Sequence, residues 1–397
     1  MTRIGIFGGT FNPPHMGHVQ AVTAAREELG LDRVLLIPAA VPPHKQLPPH
    51  SPDADMRLEL TRLAVAQLPW AEASDIELRR SGPSYTADTL TQLAAQYPED
   101  ELVLLVGTDM FLTLDKWYHP ETICRLARIA FAARTELSPE AQAAAEAQRD
   151  NLERRFGARV SLLHNPVREL SSSTVRRMLA FGCAGPLLPP PVAEAIERHG
   201  FYRAPSRLRQ LPMAALEEVC LELVDAARIP HVQGCRDTAV RLAERYGCDP
   251  VEAARAGLLH DVTKALPPAQ QLQLCADYGM MSADLTRMQP QLFHAITGSL
   301  VAERVFGECA AVCGAIRWHT TGSPGMTRLE QILYLADMIE PTRHYEGVET
   351  LRQAAERDLH EALCLSMERT VTHLRERGLE VSPETEETLQ WLRRSET

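Results

Sequence analysis

The sequence predicts an α/β doubly wound parallel sheet followed by an all-α domain, and three observations carry that expectation. The first half alternates short, unbroken apolar runs with amphipathic stretches, the second half shows helical spacing alone, and a basic, proline-punctuated segment separates them. The 397 residues suffice for two ordinary domains, and 45% hydrophobic with 23% charged side chains are globular proportions. A formal net charge of −11 disfavours nucleic acid or an acidic membrane as partner, since either calls for a basic face. Small anions held by local clusters remain open.

The first apolar run is Ile4 to Phe7, and Arg33 to Pro38, Glu101 to Gly107 and Arg128 to Ala132 follow. Apolar runs without alternation are strands buried on both faces. Helical patterns at about 18–29, 55–68, 86–97 and 139–156 lie between them, so strand and helix alternate and a ligand is expected at the carboxyl ends of the strands. A further helix closes near Gly200, and Phe201 to Pro212 suits a linker. The expected boundaries are 1–203 for the first domain, 204–212 for the linker and 213–397 for the second domain. In that last part, Asp237 to Tyr246, Leu300 to Phe306 and Leu329 to Ile339 read as helices.

Nine scattered cysteines without C-x-x-C predict neither a disulfide framework nor a thiolate zinc site and fit a reducing compartment. No signal peptide precedes the strand at Ile4 and no apolar run reaches spanning length, so a cytoplasmic protein that meets no membrane is expected; an oligomer is possible. Only three of 41 basic side chains are lysine, namely Lys45, Lys116 and Lys264. Where arginine serves almost everywhere, a retained lysine marks a site that wants a compact ammonium.

Directly behind the first strand lies Gly8-Gly9-Thr10-Phe11-Asn12-Pro13-Pro14-His15-Met16-Gly17-His18. A strand ending at a Gly-Gly turn lets backbone approach a ligand, and a helix opening at His18 offers free N–H groups to the same spot. His15 and His18 can donate to phosphate oxygens whether neutral or charged. This is a cradle for nucleotidyl transfer; neither G-x-G-x-x-G nor a P-loop is present. Four later stretches have readings of their own. Lys45, in a loop after the second strand, can reach triphosphate oxygens; Thr86 caps a helix after the turn that carries Tyr85. Asp109, behind Gly107 at a strand's carboxyl end, suits ribose hydroxyls, and the indole of Trp117, next to Tyr118, either stacks on a ring or packs in the core. Ser171, Ser172 and Ser173 open a helix with Arg176 one turn in, which makes an anion site.

These residues resemble the HxGH nucleotidyltransferases, and among them the bacterial nicotinate mononucleotide adenylyltransferases. Asn12 stands where many members have Asp, and Ser173 where Thr is usual. The resemblance covers residues 1 to about 203 and implies a Rossmann-like fold and a place in NAD biosynthesis. It implies transfer of AMP from ATP to nicotinate mononucleotide with release of pyrophosphate. His15, His18, Lys45, Arg176 and Mg2+ would stabilise the displacement; Gly8, Gly9, Thr10, Phe11, Ser171, Ser172, Ser173, Gly107 and Asp109 would hold nucleotide. Tyr85, Thr86, Trp117 and Tyr118 would hold the nicotinate moiety.

In the helical half, His231, His260, Asp261, His294, His319 and Asp337 each lie near or within apolar segments. A charged Asp261 behind a buried-looking run needs a compensating partner, which a metal supplies. Four imidazoles and two carboxylates exceed the needs of one tetrahedral zinc and suit two N/O-bound ions such as iron or manganese, bridged by Asp261. Two such ions serve phosphohydrolysis. The ordered set resembles the HD-domain superfamily, and its surroundings resemble the bacterial symmetrical diadenosine tetraphosphate hydrolases over about 213–395. That implies two ADP as product, with Asp261 and Lys264 acting on phosphate. Alternatives are another nucleotide phosphate as substrate, or a nucleotide-binding regulatory module.

Overall fold

The computed structural model describes residues 2–42, 46–132, 139–164, 170–280 and 288–394. The chain divides into two compact units, Met1–Arg203 and Ala204–Thr397.

In the first unit, β1 (Arg3–Gly9), β2 (Arg33–Pro38), β3 (Ala71–Ala73), β4 (Glu101–Gly107), β5 (Ala127–Ala132) and β6 (Val160–Leu163) form one sheet of order β3-β2-β1-β4-β5-β6. Every pairing is parallel. Its helices are α1 (Met16–Leu29), α2 (Ala54–Val65), α3 (Thr86–Gln96), α4 (Thr108–Phe111), α5 (Pro120–Leu126), α6 (Pro139–Phe156), α7 (Ser172–Ala180) and α8 (Pro190–His199). The unbroken apolar runs are explained by helices on both faces. Ile4, Ile6, Leu35, Ile37, Leu102 and Leu104 pack with Leu90, Leu93, Ile123 and Leu152, whereas Val34, Leu36, Val103 and Leu105 pack with Val22, Ala25 and Val65. Strand order reverses between β1 and β4, so the crevice at their carboxyl ends is the switch point where this topology receives ligands.

Two edge strands leave no apolar run in the sequence. β3 is three residues of sequence Ala-Glu-Ala, and in β6 only Leu163 is buried. The glycines also differ from expectation: Gly8 and Gly9 are extended residues of β1, in register with Ile37 and Pro38, and the reversal comes at Phe11, whose φ is +47°. Parallel pairing with β2 continues to the last residue of β1 and postpones the turn. The helix then opens at Met16, two residues before the expected start, with His15 as its N-cap.

The second unit is helical throughout its described residues: α9 (Met213–Leu223), α10 (Ile229–Tyr246), α11 (Pro250–Leu259), α12 (Pro268–Asp277), α13 (Phe293–Val301), α14 (Ala310–Trp318), α15 (Arg328–Ile339), α16 (Val348–Arg357), α17 (Leu359–Glu376) and α18 (Pro383–Arg394). A π-helical turn, Ala302–Phe306, continues α13. Residues 204–212, expected as a linker, pack as part of this unit. Leu208 is buried, Gln210 N donates to Phe306 O, and Arg255 Nη1 donates to Leu211 O. No helix among the described residues is long and apolar enough to cross a membrane.

Helix α10 packs on α11 and α15. The first crossing depends on Gly257, where an added Cβ would lie 2.7 Å from Arg236 Cα and 3.0 Å from its N. Backbone cannot rotate away, so Gly257→Ala is expected to destabilise the second unit by about 1–3 kcal/mol, read as a lower urea midpoint. An unchanged midpoint would mean that the helices separate without cost.

Candidate functional site

Residues from the loop after β1, from the start of α1 and from α7 meet around a cavity of about 270 Å³ in the first unit, lined by Thr10, Phe11, Asn12, His15, His18, Ser171, Ser172, Ser173 and Arg176 among others. His15 and His18 stack with ring centroids 3.6 Å apart. The backbone N–H of His15 donates to His18 Nδ1 over 3.1 Å, which leaves the proton of a neutral His18 on Nε2. His15 Nδ1 is buried without a partner. Gly17 makes this packing possible, because a Cβ there would lie 3.1 Å from both His15 Nδ1 and Leu170 Cβ. Its place between the two histidines is the signal for this role, which the chemistry of the motif alone does not assign.

The serines spend their hydroxyls on the protein. Ser171 Oγ caps α7 by accepting from Thr174 N, Ser172 Oγ donates to Pro13 O, and Ser173 Oγ accepts from Arg176 Nη2. Arg176 Nη1 donates to Asn12 O over 2.7 Å. The first-motif loop is thereby tied to α7, and the backbone N–H groups of the first turn of α7 remain for an anion. Asn12, to which the sequence assigns no contact, joins three segments: its Nδ2 donates to Ser51 Oγ and its Oδ1 accepts from Tyr202 Oη.

The other expected residues do not line this cavity. Gly107 ends β4 and caps α4, and Asp109 is exposed in α4. Tyr85, not Thr86, is the N-cap of α3, because Thr86 already has helical backbone. Tyr118 is half-exposed and stacks on Tyr85 at 4.4 Å, whereas Trp117 packs partly buried against the sheet core. Lys45 lies outside the described residues.

In the second unit, five helical segments bring the six expected residues together. His231 comes from the first turn of α10, His260 and Asp261 from the end of α11, His294 from the start of α13, His319 from the C-cap of α14, and Asp337 from α15. All six are buried. Two groups have metal-ligand geometry, His231 with His260 and Asp261, and Asp261 with His294 and His319. Asp261 is common to both. Its Oδ2 lies 3.4 Å from His231 Nε2 and 3.3 Å from His260 Nε2, and its Oδ1 lies 3.4 Å from His294 Nε2 and 4.0 Å from His319 Nε2.

Hydrogen bonds on the far side of each ring set the tautomers. Nδ1 of His260, His294 and His319 faces the carbonyls of Gly257, Gln291 and Ile316, and Nδ1 of His231 faces Glu340 Oε1 at 3.0 Å. An acceptor at Nδ1 places the proton of a neutral ring there, so the Nε2 atoms of neutral His231, His294 and His319 present lone pairs. Despite burial, His260 is held well above its ordinary value by Asp261. Yet His231 and His260 Nε2 are 3.2 Å apart, as are those of His294 and His319. A proton shared between the two nitrogens, or a cation between them, satisfies each pair. Asp261 Oδ1, buried and accepting no hydrogen bond, is a further sign of the same demand. The donor set therefore fits two divalent cations.

Charge is arranged accordingly. Burial disfavours ionisation of Asp261 and Asp337, but the imidazole of His260 outweighs it and holds both carboxyls below their usual range. Burial lowers His294 to about 3 and His319 to about 4. Three supporting side chains carry no motif of their own. Arg228 and Arg343 pair with Asp261 and Asp337, and Glu340 accepts from Thr342 N and Oγ1 while orienting His231. Glu340 follows Asp337 by three residues, a spacing that places both on one side of α15 and could have marked it. Gly234 admits it, since a Cβ there would lie 2.6 Å from Glu340 Oε2. Lys264 Nζ lies 3.4 Å from Asp261 Oδ1.

Together these features define a nucleotidyltransferase-type α/β unit joined to a helical metal-binding unit of the HD type. Residues 6–178 match the cytidylyltransferase-like family, and residues 228–342 match the HD domain family. A probable nicotinate-nucleotide adenylyltransferase of Thermomicrobium roseum is 40% identical over 207 residues, 51% of this chain and 92% of that protein. The symmetrical bis(5'-nucleosyl)-tetraphosphatase of Bacillus subtilis is 40% identical over 166 residues, 42% of this chain and 89% of that protein. An HD superfamily hydrolase of Clostridium acetobutylicum, described as involved in NAD metabolism, has a crystal structure with 34% identity and a TM-score of 0.45, covering 47% of this chain and 99% of that one. The chain belongs to the nicotinate-nucleotide adenylyltransferase family and, as a fusion, to the HD-domain family of symmetrical bis(5'-nucleosyl)-tetraphosphatases.

Burial lowers His15 to about 3 and holds His18 well below its ordinary value, His15 adding to the effect on His18. An unfolded chain protonates both below about pH 6.5, so between pH 6.5 and about 3 it binds more protons than the folded one. Stability of the first unit therefore falls as pH drops through that window, by up to about 1.4 kcal/mol per pH unit for each imidazole. In urea unfolding measured from about pH 6.5 to 4, His15→Gln should lose less stability than the parent chain. Parallel losses would contradict the assignment.

Proposed function

We propose that the first unit transfers AMP from ATP to nicotinate mononucleotide and that the second hydrolyses diadenosine tetraphosphate to two ADP. The observation that carries the first reading is the stacked, neutral His15 and His18 pair facing the cavity with α7. In the transfer, an oxygen of the nicotinate mononucleotide phosphate attacks the α-phosphorus of ATP in line. The new P–O bond forms as the bond from that phosphorus to the bridging oxygen breaks, and pyrophosphate leaves. His18, held by the N–H of His15, donates Nε2–H to a phosphate oxygen, and Arg176 with the N–H groups of α7 takes up the remaining charge. No covalent enzyme intermediate is required. ATP enters with magnesium, and Lys45 is a further candidate for its phosphates. The exposed Tyr85 and Tyr118 stack, with Thr86 behind them, is the surface we assign to the pyridine ring.

For the second unit, the carrying observation is the pair of buried ligand groups that share Asp261. Iron or manganese suits this N/O donor set, and two such ions supply Lewis acidity to a phosphate and activate water. The chain's own part is to hold the site in shape. Asp261 spans both ligand groups, backbone carbonyls and Glu340 orient the imidazoles, and Asp337 lies 3.3 Å from His231 Nε2. Arg228, Lys264 and Arg343, each with about a third of its side chain exposed, offer positive charge to substrate phosphates.

The full chain loaded with iron(II) or manganese is expected to release ADP as sole nucleotide product from diadenosine tetraphosphate. Asp261→Ala should abolish this while leaving adenylyl transfer intact, and His18→Ala should lower adenylyl transfer by about 100-fold or more while leaving hydrolysis intact. Release of AMP and ATP would overturn the symmetrical cleavage, and hydrolysis of only other nucleotides would overturn the substrate assignment. Metal analysis gives an independent reading: about two ions per parent chain, about one in His319→Ala, and loss of both classes in Asp261→Ala.

A further inference from the structure

Arg57, on α2, is 1% exposed and has no carboxylate within ion-pair distance among the described residues. Its Nη1 donates to Thr10 O over 2.8 Å and its Nη2 to Ala40 O over 3.3 Å, while Nε is buried without a partner. Those two carbonyls belong to the loops that leave β1 and β2 at the carboxyl end of the sheet. Asp53, one turn before it, is occupied as N-cap of α2, accepting from Met56 N over 2.9 Å. Burial pulls the Arg57 guanidinium below its ordinary pKa, and Tyr202 and Asp53 oppose this only in part.

A second cation shares the condition. Arg176, whose partners are Asn12 O and Ser173 Oγ, is likewise without an acid among the described residues. Both guanidinium groups act on Tyr202, whose phenol burial holds neutral and whose hydroxyl is spent on Asn12 Oδ1 over 2.7 Å. This side of the unit thus holds two positive charges, Arg57 buried and Arg176 half-buried, beside neutral Asn12, Tyr202, His15 and His18. A buried charge without a counter-charge is costly in a medium of low dielectric. An anion seated in the cavity lined by Thr10 and Arg176 recovers that cost on binding.

We propose that Arg57 is a positioning residue for the polyphosphate of the nucleotide substrate. Its charge is left unbalanced by the protein so that the bound anion balances it, and its two ends hold the chain at Thr10 and Ala40. Arg57 does not line the cavity, so it acts through the Thr10 backbone and through its field. The proposal rests on the nucleotidyl-transfer reading of this unit.

The test compares the full-length parent with Arg57→Lys and Arg57→Gln. Either substitute can donate to one carbonyl, but only lysine keeps the charge. ATP affinity is measured by calorimetry, the ATP-induced rise in Tm by thermal unfolding, and KM for ATP and kcat by pyrophosphate release. Arg57→Gln should weaken ATP binding by about tenfold or more, shrink the ATP-induced Tm rise and raise KM for ATP more than it lowers kcat, while Arg57→Lys stays within about threefold of the parent. A merely structural role would lower the ligand-free Tm in both variants and leave the ATP affinity of folded protein unmoved. Equal ATP affinity in parent and Arg57→Gln, or equal loss in the two variants, overturns the proposal. Should Arg57→Gln fail to fold, Arg57→Lys decides alone, affinity within about threefold supporting and a loss beyond about tenfold overturning it. A parent that binds ATP without transferring AMP to nicotinate mononucleotide refutes the proposed reaction and leaves the Arg57 comparison valid; a parent that binds no ATP refutes both.

Discussion

Buried charge is the constraint on which both units depend. In the second unit Asp261 and Asp337, paired with Arg228 and Arg343, lie among imidazoles whose Nε2 atoms face one another across 3.2 Å. In the first the charge is positive, with Arg57 and Arg176 donating to carbonyls and a serine hydroxyl and to no acid among the described residues. Low dielectric raises the cost of every unpaired charge, and apolar packing elsewhere supplies the folding free energy that meets it.

What maintains these arrangements is geometry held from outside the reacting groups. Carbonyls at Gly257, Gln291 and Ile316 fix three imidazoles, and Glu340 fixes the fourth. Glycines allow the backbone to come close enough for this. Gly234 makes room for the Glu340 carboxylate, Gly257 for the α10 crossing, and Gly17 for the His15 ring under Leu170. A side chain at any of the three would displace a functional group and not merely a packing contact. The sheet plays the corresponding part in the first unit, since the reversal of strand order between β1 and β4 sets the loop of the first motif at an open crevice.

Much of this is legible in the amino-acid sequence. The four central strands announce themselves as unbroken apolar runs because helices cover both faces. The edge strands β3 and β6 do not, having almost nothing to bury. All six metal-ligand candidates are visible as chemistry, since a carboxylate or imidazole inside an apolar segment is conspicuous wherever it sits. The side chains that support them are not. Arg228, Arg343 and Arg57 look like any surface arginine in a chain that uses arginine for nearly all its basic residues, and only their tertiary surroundings distinguish them, ion pairs with Asp261 and Asp337 for the first two and burial for Arg57. The local departures have a common origin too: extended backbone at Gly8 and Gly9, and the early start of α1, come from pairing with β2 and from the His15 cap, neither of which lies in the motif's own spacing.

By itself the sequence determined the two kinds of architecture, the nucleotide motif and the six candidate metal-ligating side chains, because hydrophobic period and residue chemistry are local properties. Tertiary structure alone decided that Asp261 stands between two candidate ligand groups, that the serines of α7 bind protein through their hydroxyls, and that Arg57 of α2 is buried with no acid at ion-pair distance among the described residues. Those are statements about which distant atoms become neighbours and which are left without one. They depend on how helices and loops far apart in the chain close over each other, and no spacing along the chain encodes that closure.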